Sequence, residues 1–86
     1  MKINKNIFVT EIDDNLVILN TETGLYLELN GSASFIFKQI QELKTKEQII
    51  DLLIEKYDIQ KEEAESSILE FIEDANSKGI LDCKRS

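Results

Sequence analysis

Residues 23–32, Thr23-Gly24-Leu25-Tyr26-Leu27-Glu28-Leu29-Asn30-Gly31-Ser32, contain the point at which this chain changes its period. Up to Leu29 the pattern repeats every two residues: Leu25, Leu27 and Leu29 share one face of an extended strand, with Tyr26 and Glu28 on the other. Asn30-Gly31-Ser32 breaks the strand and offers helix caps. Beyond it, Ala33, Ile36, Phe37, Ile40 and Leu43 recur at the i, i+3, i+4, i+7 spacing of one helix face.

Working back from this point, Asn20-Thr21-Glu22-Thr23-Gly24 reads as a turn, with Gly24 free to take a positive φ. Leu16-Val17-Ile18-Leu19 before it is apolar on both faces and predicts a central strand. Asp13-Asp14-Asn15 is a second turn, preceded by the β-rich stretch Ile7–Ile12. Two short turns make a meander, which places the third strand, Leu25–Leu29, at an edge.

Working forward, Thr45-Lys46-Glu47-Gln48 is a capping box, with a Thr N-cap and Gln at N3. It opens a second helix whose inward stripe is Ile49, Ile50, Leu53 and Tyr57. Asp58-Ile59-Gln60-Lys61 interrupts that helix, and Asp58 is the predicted cap of the next. The third helix turns Ala64, Ile68, Phe71, Ile72 and Ala75 inward and stops at Lys78-Gly79, after which Ile80-Leu81 tucks back onto the core. The expected fold is α+β and winged helix-turn-helix-like: a three-stranded antiparallel sheet followed by three helices, β-β-β-α-α-α. One domain spans residues 1–86, with an ordered core of about 5–82.

Composition narrows the function. With 86 residues, there is room for a single small core, and nearly every large apolar residue is needed for it. Apolar residues make up 42% and charged ones 31%, a globular balance. Ten Lys and Arg against 17 Asp and Glu leave a net charge of −7, which disfavours nucleic acid and anionic membranes as partners. There is no His and a single Cys, so a disulfide framework, a Cys/His zinc site and His-dependent triads are excluded. The glycines are Gly24, Gly31 and Gly79, too scattered for a phosphate loop. Ser66-Ser67 has no neighbouring base to activate it. Glu62, Glu63, Glu65, Glu70, Glu73 and Asp74 read as the solvated face of the third helix. Catalysis, a metal and a cofactor are therefore not expected. No signal peptide or membrane span is visible, and Cys83 in the polar tail Asp82-Cys83-Lys84-Arg85-Ser86 fits a reducing cytoplasm.

The third strand is the informative element. An edge strand exposes a row of unpaired N–H and C=O groups, which proteins blunt with Lys, Pro or a bulge. Here Glu28 is the one charged residue in the strand. Such an edge either pairs with a second copy or accepts a peptide by strand addition. Burial of its leucines under the helices is compatible with both.

The order of these signals resembles a known family. Thr23-Gly24-Leu25-Tyr26-Leu27-Glu28-Leu29-Asn30 is similar to its third-strand signature of a Gly, an aromatic residue and a terminal Leu-Asn. Ile36-Phe37 stands where the family has Ile-Trp, and Ile68, Phe71-Ile72 and Gly79-Ile80-Leu81 match its C-terminal helix and ending. The family is the PqqD-like proteins, or RiPP recognition elements, which include the stand-alone B1 proteins of lasso-peptide pathways. The resemblance covers roughly residues 7–82.

It implies a chaperone of ribosomally made, post-translationally modified peptides, binding the precursor's leader and presenting its core to a modifying enzyme or leader peptidase. The leader adds as a strand beside the third strand, in a groove closed by the third helix. Carried onto this chain, the ladder runs from Leu25 to Leu29, and Leu27, Leu29, Ile68, Leu69 and Ile72 line the groove, with Tyr26 at its rim. Glu28, Glu65 and Lys61 read charges on the leader, which the net charge of −7 expects to be basic. The chain departs from the family at Ser67, where Asp is usual, at Ala75 for Leu and at Phe37 for Trp, so no charge contact at the first of these is carried over from the resemblance.

Two other classes stand beside this reading. A winged-helix DNA-binding regulator needs Lys or Arg on its recognition helix, and residues 61–75 set Lys61 against six acids. A homodimeric structural subunit would pair its edge strands with no peptide. A monomer or weak homodimer is the expected state.

Overall fold

The computed structural model describes residues 3–13, 15–29 and 31–81. The readings made on Asp14, Asn30 and the tail from Asp82 to Ser86 lie outside these. Within them, strands β1 (Ile7–Ile12), β2 (Asn15–Asn20) and β3 (Tyr26–Leu29) precede helices α1 (Gly31–Gln41), α2 (Lys46–Tyr57) and α3 (Lys61–Ser77). The sheet order is β1-β2-β3, antiparallel throughout. This is the expected α+β architecture, with β3 at an edge and the doubly apolar β2 in the centre.

The sheet buries one face. Leu16 and Ile18 of β2 and Leu29 of β3 join Ile36, Phe37 and Ile40 of α1, Ile49, Ile50 and Leu53 of α2, and Ala64, Ile68, Phe71 and Ala75 of α3 in one core. Phe37 meets Phe71 edge to face, with ring centroids 6.4 Å apart, the arrangement that aligns a ring's positive edge with its neighbour's negative face. The Ser34 hydroxyl donates to the carbonyl of Leu29 at 2.9 Å, locking the start of α1 against the end of β3.

The capping box at α2 is present in both directions: Gln48 N–H donates to Thr45 Oγ1, and Thr45 N–H to Gln48 Oε1 at 2.8 Å. Asp58 is placed differently from expectation. It adopts the left-handed conformation at φ 55° and closes the C-terminus of α2 through its own N–H to Ile54 O. The residue at the N-cap of α3 is Gln60, which makes no side-chain cap bond. Asp tolerates positive φ, so a residue type that suits the start of one helix serves equally at the end of another. Leu43 is the second departure. Because α1 ends at Gln41, Leu43 falls in the following turn at φ 63° and is 87% exposed, off the α1 stripe. Tyr57 also leaves its stripe, lying at the surface edge to face with Phe35.

The two ends of the described chain meet. Ile3 bridges Leu81, Asn4 N–H donates to Ile80 O, and Asn4 Nδ2 donates to Gly79 O at 2.8 Å. Ile80 and Leu81 are buried, as their apolar character after the Gly79 stop predicts.

Candidate functional site

The free edge of β3 is defined by hydrogen-bond parity. In an antiparallel pair, both backbone groups of a residue point to the same side, and successive residues alternate. Asn20 N–H donates to Leu25 O at 2.8 Å, so Asn20 and Leu25 form a hydrogen-bonded pair. Continuing the register, Ile18–Leu27 and Leu16–Leu29 are the next such pairs, while Leu19–Tyr26 and Val17–Glu28 are the non-bonded ones. On the other side of β2, Thr21 N–H bonds Asn6 O, which assigns Leu19 and Val17 to β1 and agrees with this parity. Leu27 and Leu29 therefore spend their backbone groups on β2. Tyr26 and Glu28 direct theirs outward, to an edge that no described strand occupies. The ladder expected from Leu25 to Leu29 thus has two free rungs, at Tyr26 and Glu28, and Leu25 lies outside β3 with an exposed side chain.

Beside this edge is a hollow of about 240 Å³ between β3, α1 and α3. Leu27 and Leu29 form one wall, Ser32, Ala33 and Ile36 the base, and Ser67, Glu70, Phe71 and Asp74 the opposite wall. The last four follow the i, i+3, i+4, i+7 spacing of one face of α3. The small side chains of Ser32, Ala33 and Ser67 leave the space open. Leu27, Ile36 and Phe71 supply apolar surface, Glu70 and Asp74 give the α3 wall two carboxylates, and the lining includes no cation.

The structure brings Leu27, Glu28 and Leu29 to this groove, with Tyr26 at the edge, but it turns the expected α3 residues elsewhere. Ile68 is fully buried with Ala64 and Ala75 in the core. Lys61 and Glu65 line a separate hollow against α2, with Lys46, Glu47, Ile50 and Asp51. Ile72, half-buried, is on the same flank of α3 as these two, and Leu69 next to it is 52% exposed. The stripe packed inward takes the middle of the helix, so the groove beside the sheet meets one flank of that stripe, while Ile68 lies within the stripe and the other residues expected lie on its opposite flank. The sequence puts Glu70 and Asp74 on the solvated face and marks Ser67 only as a departure from the family; the signal that unites them is their shared spacing with Phe71. Among the described residues, no cluster of three potential metal ligands exists, and no helix is long and apolar enough to cross a membrane.

An open strand edge next to a partly apolar groove can hold an extended segment by backbone bonds and sort it by its side chains. Comparison with known proteins agrees with this geometry. The family pattern of coenzyme PQQ synthesis protein D (PqqD) matches residues 15–81. Among solved structures, TbiB1 in complex with the TbiA(beta) leader peptide superposes with a TM-score of 0.91 at 28% identity over 100% of both chains. A lasso peptide synthetase B1 complexed with the leader peptide superposes at 0.84 with 22% identity, covering 92% of this chain and 93% of that one. No protein of curated function matches the chain in sequence.

Proposed function

The chain belongs to the PqqD family, and from that premise we propose that it binds the leader of a ribosomally synthesised precursor peptide and delivers it to a modifying enzyme or leader peptidase. The observation that carries the proposal is the pair of free backbone rungs at Tyr26 and Glu28, bordered by the groove between β3 and α3. The similar TbiB1 structure holds a leader peptide, which supports the same role here.

The physics suits a carrier. Backbone bonds, each worth about 0.5–1.5 kcal/mol net, hold an extended peptide whatever its sequence. One or two apolar anchors against Leu27, Ile36 and Phe71, at about 1.5–3 kcal/mol each when fully buried, discriminate between peptides. The protein needs no catalytic group for this: it is a non-enzymatic recognition element acting in the cytoplasm, with the chemistry on another chain. The carboxylates at the groove and the net charge of −7 favour a leader with basic residues and oppose duplex DNA.

The test is a titration of isotope-labelled protein with synthetic peptides copied from the N-terminal halves of short reading frames neighbouring its gene. Binding is expected to shift the amides of Tyr26, Glu28 and residues 67–74. Saturable binding that leaves both segments unmoved, or failure of all such peptides to bind, overturns the proposal.

A further inference from the structure

The sheet has a second face, turned away from the helices, and its side chains form rungs that run across all three strands. Phe8 is paired with Leu19 and Leu19 with Tyr26. Both ends of this rung are open to solvent, with Phe8 60% and Tyr26 62% exposed. The next rung is Thr10, Val17 and Glu28. Both rungs end at the free edge, on the two residues whose backbone groups point outward. Glu28 makes no ion pair among the described residues; the carboxylates that do are Glu11 with Lys38 and Glu42 with Lys44.

We propose that this outer face, as well as the groove, reads the bound leader, and that Tyr26 and Glu28 select for it an aromatic or β-branched residue and a Lys or Arg, two positions apart. The inference rests on strand addition at β3 and specifies its substrate. A strand paired with β3 alternates like any other. Its residue opposite Leu27 faces the groove, and the residues on either side of that one lie on the outer face, opposite Tyr26 and Glu28. Directly opposed side chains have Cβ atoms about 4.5–5.5 Å apart, close enough for one on the leader to extend each rung. The first rung, aromatic–Leu–aromatic, gains most from a further aromatic or β-branched residue. The second ends in an unpaired carboxylate, for which a cation is the complement and another acid is repelled. The order of the two along the leader is set by strand direction: basic first if the strands are antiparallel.

Selection from an mRNA-displayed library of randomised twelve-residue peptides tests this, on the unaltered protein and on the Glu28→Lys and Tyr26→Ser variants, all at low salt where exposed pairs are least screened. The unaltered protein is expected to enrich a basic residue two positions from an aromatic or β-branched one. Glu28→Lys is expected to exchange the basic preference for an acidic one, with a chosen Lys-bearing peptide weakened about fivefold and its Lys→Glu counterpart recovered. Tyr26→Ser is expected to erase the aromatic preference alone. Peptides that are enriched and shift residues 67–74, yet keep the same profile on both variants, refute two-faced reading while leaving strand addition intact. A library that yields no binder to the unaltered protein removes the foundation of both.

Discussion

The side-chain amide of Asn20 donates to the carbonyl oxygen of Gly79 at 2.9 Å, joining the end of β2 to the turn that closes α3 across 59 positions of chain. The same side chain, 2% exposed, accepts from the N–H groups of Glu22 and Thr23 through Oδ1. One buried amide thus shapes the β2–β3 hairpin and fixes it to the far end of the molecule. Gly79, at φ +73°, is so close that an added Cβ would run into that amide.

Asn20→Ala is therefore expected to destabilise the fold by about 3 kcal/mol, the net value of three hydrogen bonds at about 1 kcal/mol each. For a domain of this size, Tm falls by about 12–24 °C. Gly79→Ala is expected to cost at least about 2 kcal/mol, since it combines left-handed strain with displacement of Asn20. Urea denaturation followed by circular dichroism measures both, and a change below about 0.5 kcal/mol in either contradicts the linkage.

Proline separates the two parities of β3. Glu28→Pro removes an N–H that faces the open edge, so folding is expected to persist while leader affinity falls at least about tenfold, through a lost donor and the ring's obstruction of an incoming strand. Leu27→Pro removes an N–H directed at Ile18 of β2, so it is expected to unfold the sheet. Circular dichroism and fluorescence anisotropy on both variants distinguish them; similar stabilities would contradict the assigned parity, and a less stable Glu28→Pro would reverse it.

Filling the groove is expected to block binding without weakening the fold. Ser67 is half-buried on the α3 wall, next to an open volume of about 240 Å³. A Ser67→Phe side chain enters that space, and leader affinity is expected to fall by more than about tenfold while Tm stays within a few degrees. Retained affinity would move the binding surface off the groove.

Phe71→Ala is expected to cost about 3–5 kcal/mol, because Phe71 is almost wholly buried and abuts Phe37. In a domain whose total stability is about 5–15 kcal/mol, this brings the protein close to its unfolding threshold. Thr45→Ala, which removes half of the capping box, is expected to cost about 1 kcal/mol. Equilibrium denaturation checks the ranking of the two.

The architecture was legible in the sequence because its signals are local. The switch from period two to period 3.6 at Asn30-Gly31-Ser32, the Thr45–Gln48 box and the Lys78-Gly79 stop each concern residues within one turn of each other. The elements differ from expectation where local chemistry is ambiguous: Asp58 suits either end of a helix, and Leu43 completes a stripe that the helix is too short to include. The open edge beside the candidate groove was legible too, as the position of β3 at the edge of the sheet follows from the meander. The α3 wall was not, since a periodic pattern shows which stripe is buried but not on which flank of it the sheet lies. Ile68, Leu69 and Ile72 were expected where Ser67, Glu70, Phe71 and Asp74 stand. Asn20 carried no signal beyond turn propensity, because its partner is 59 positions away.

The alternation along β3 also bears on how such a protein changes over generations. Leu27 and Leu29 hold the fold, whereas Tyr26 and Glu28 lend neither backbone bonds nor buried side chains to it. A duplicated copy can therefore explore substitutions at Tyr26 and Glu28 at little thermodynamic risk, and drift to a new precursor without passing through unfolded intermediates. Divergence among paralogues is then expected to concentrate on every second residue of a single short strand.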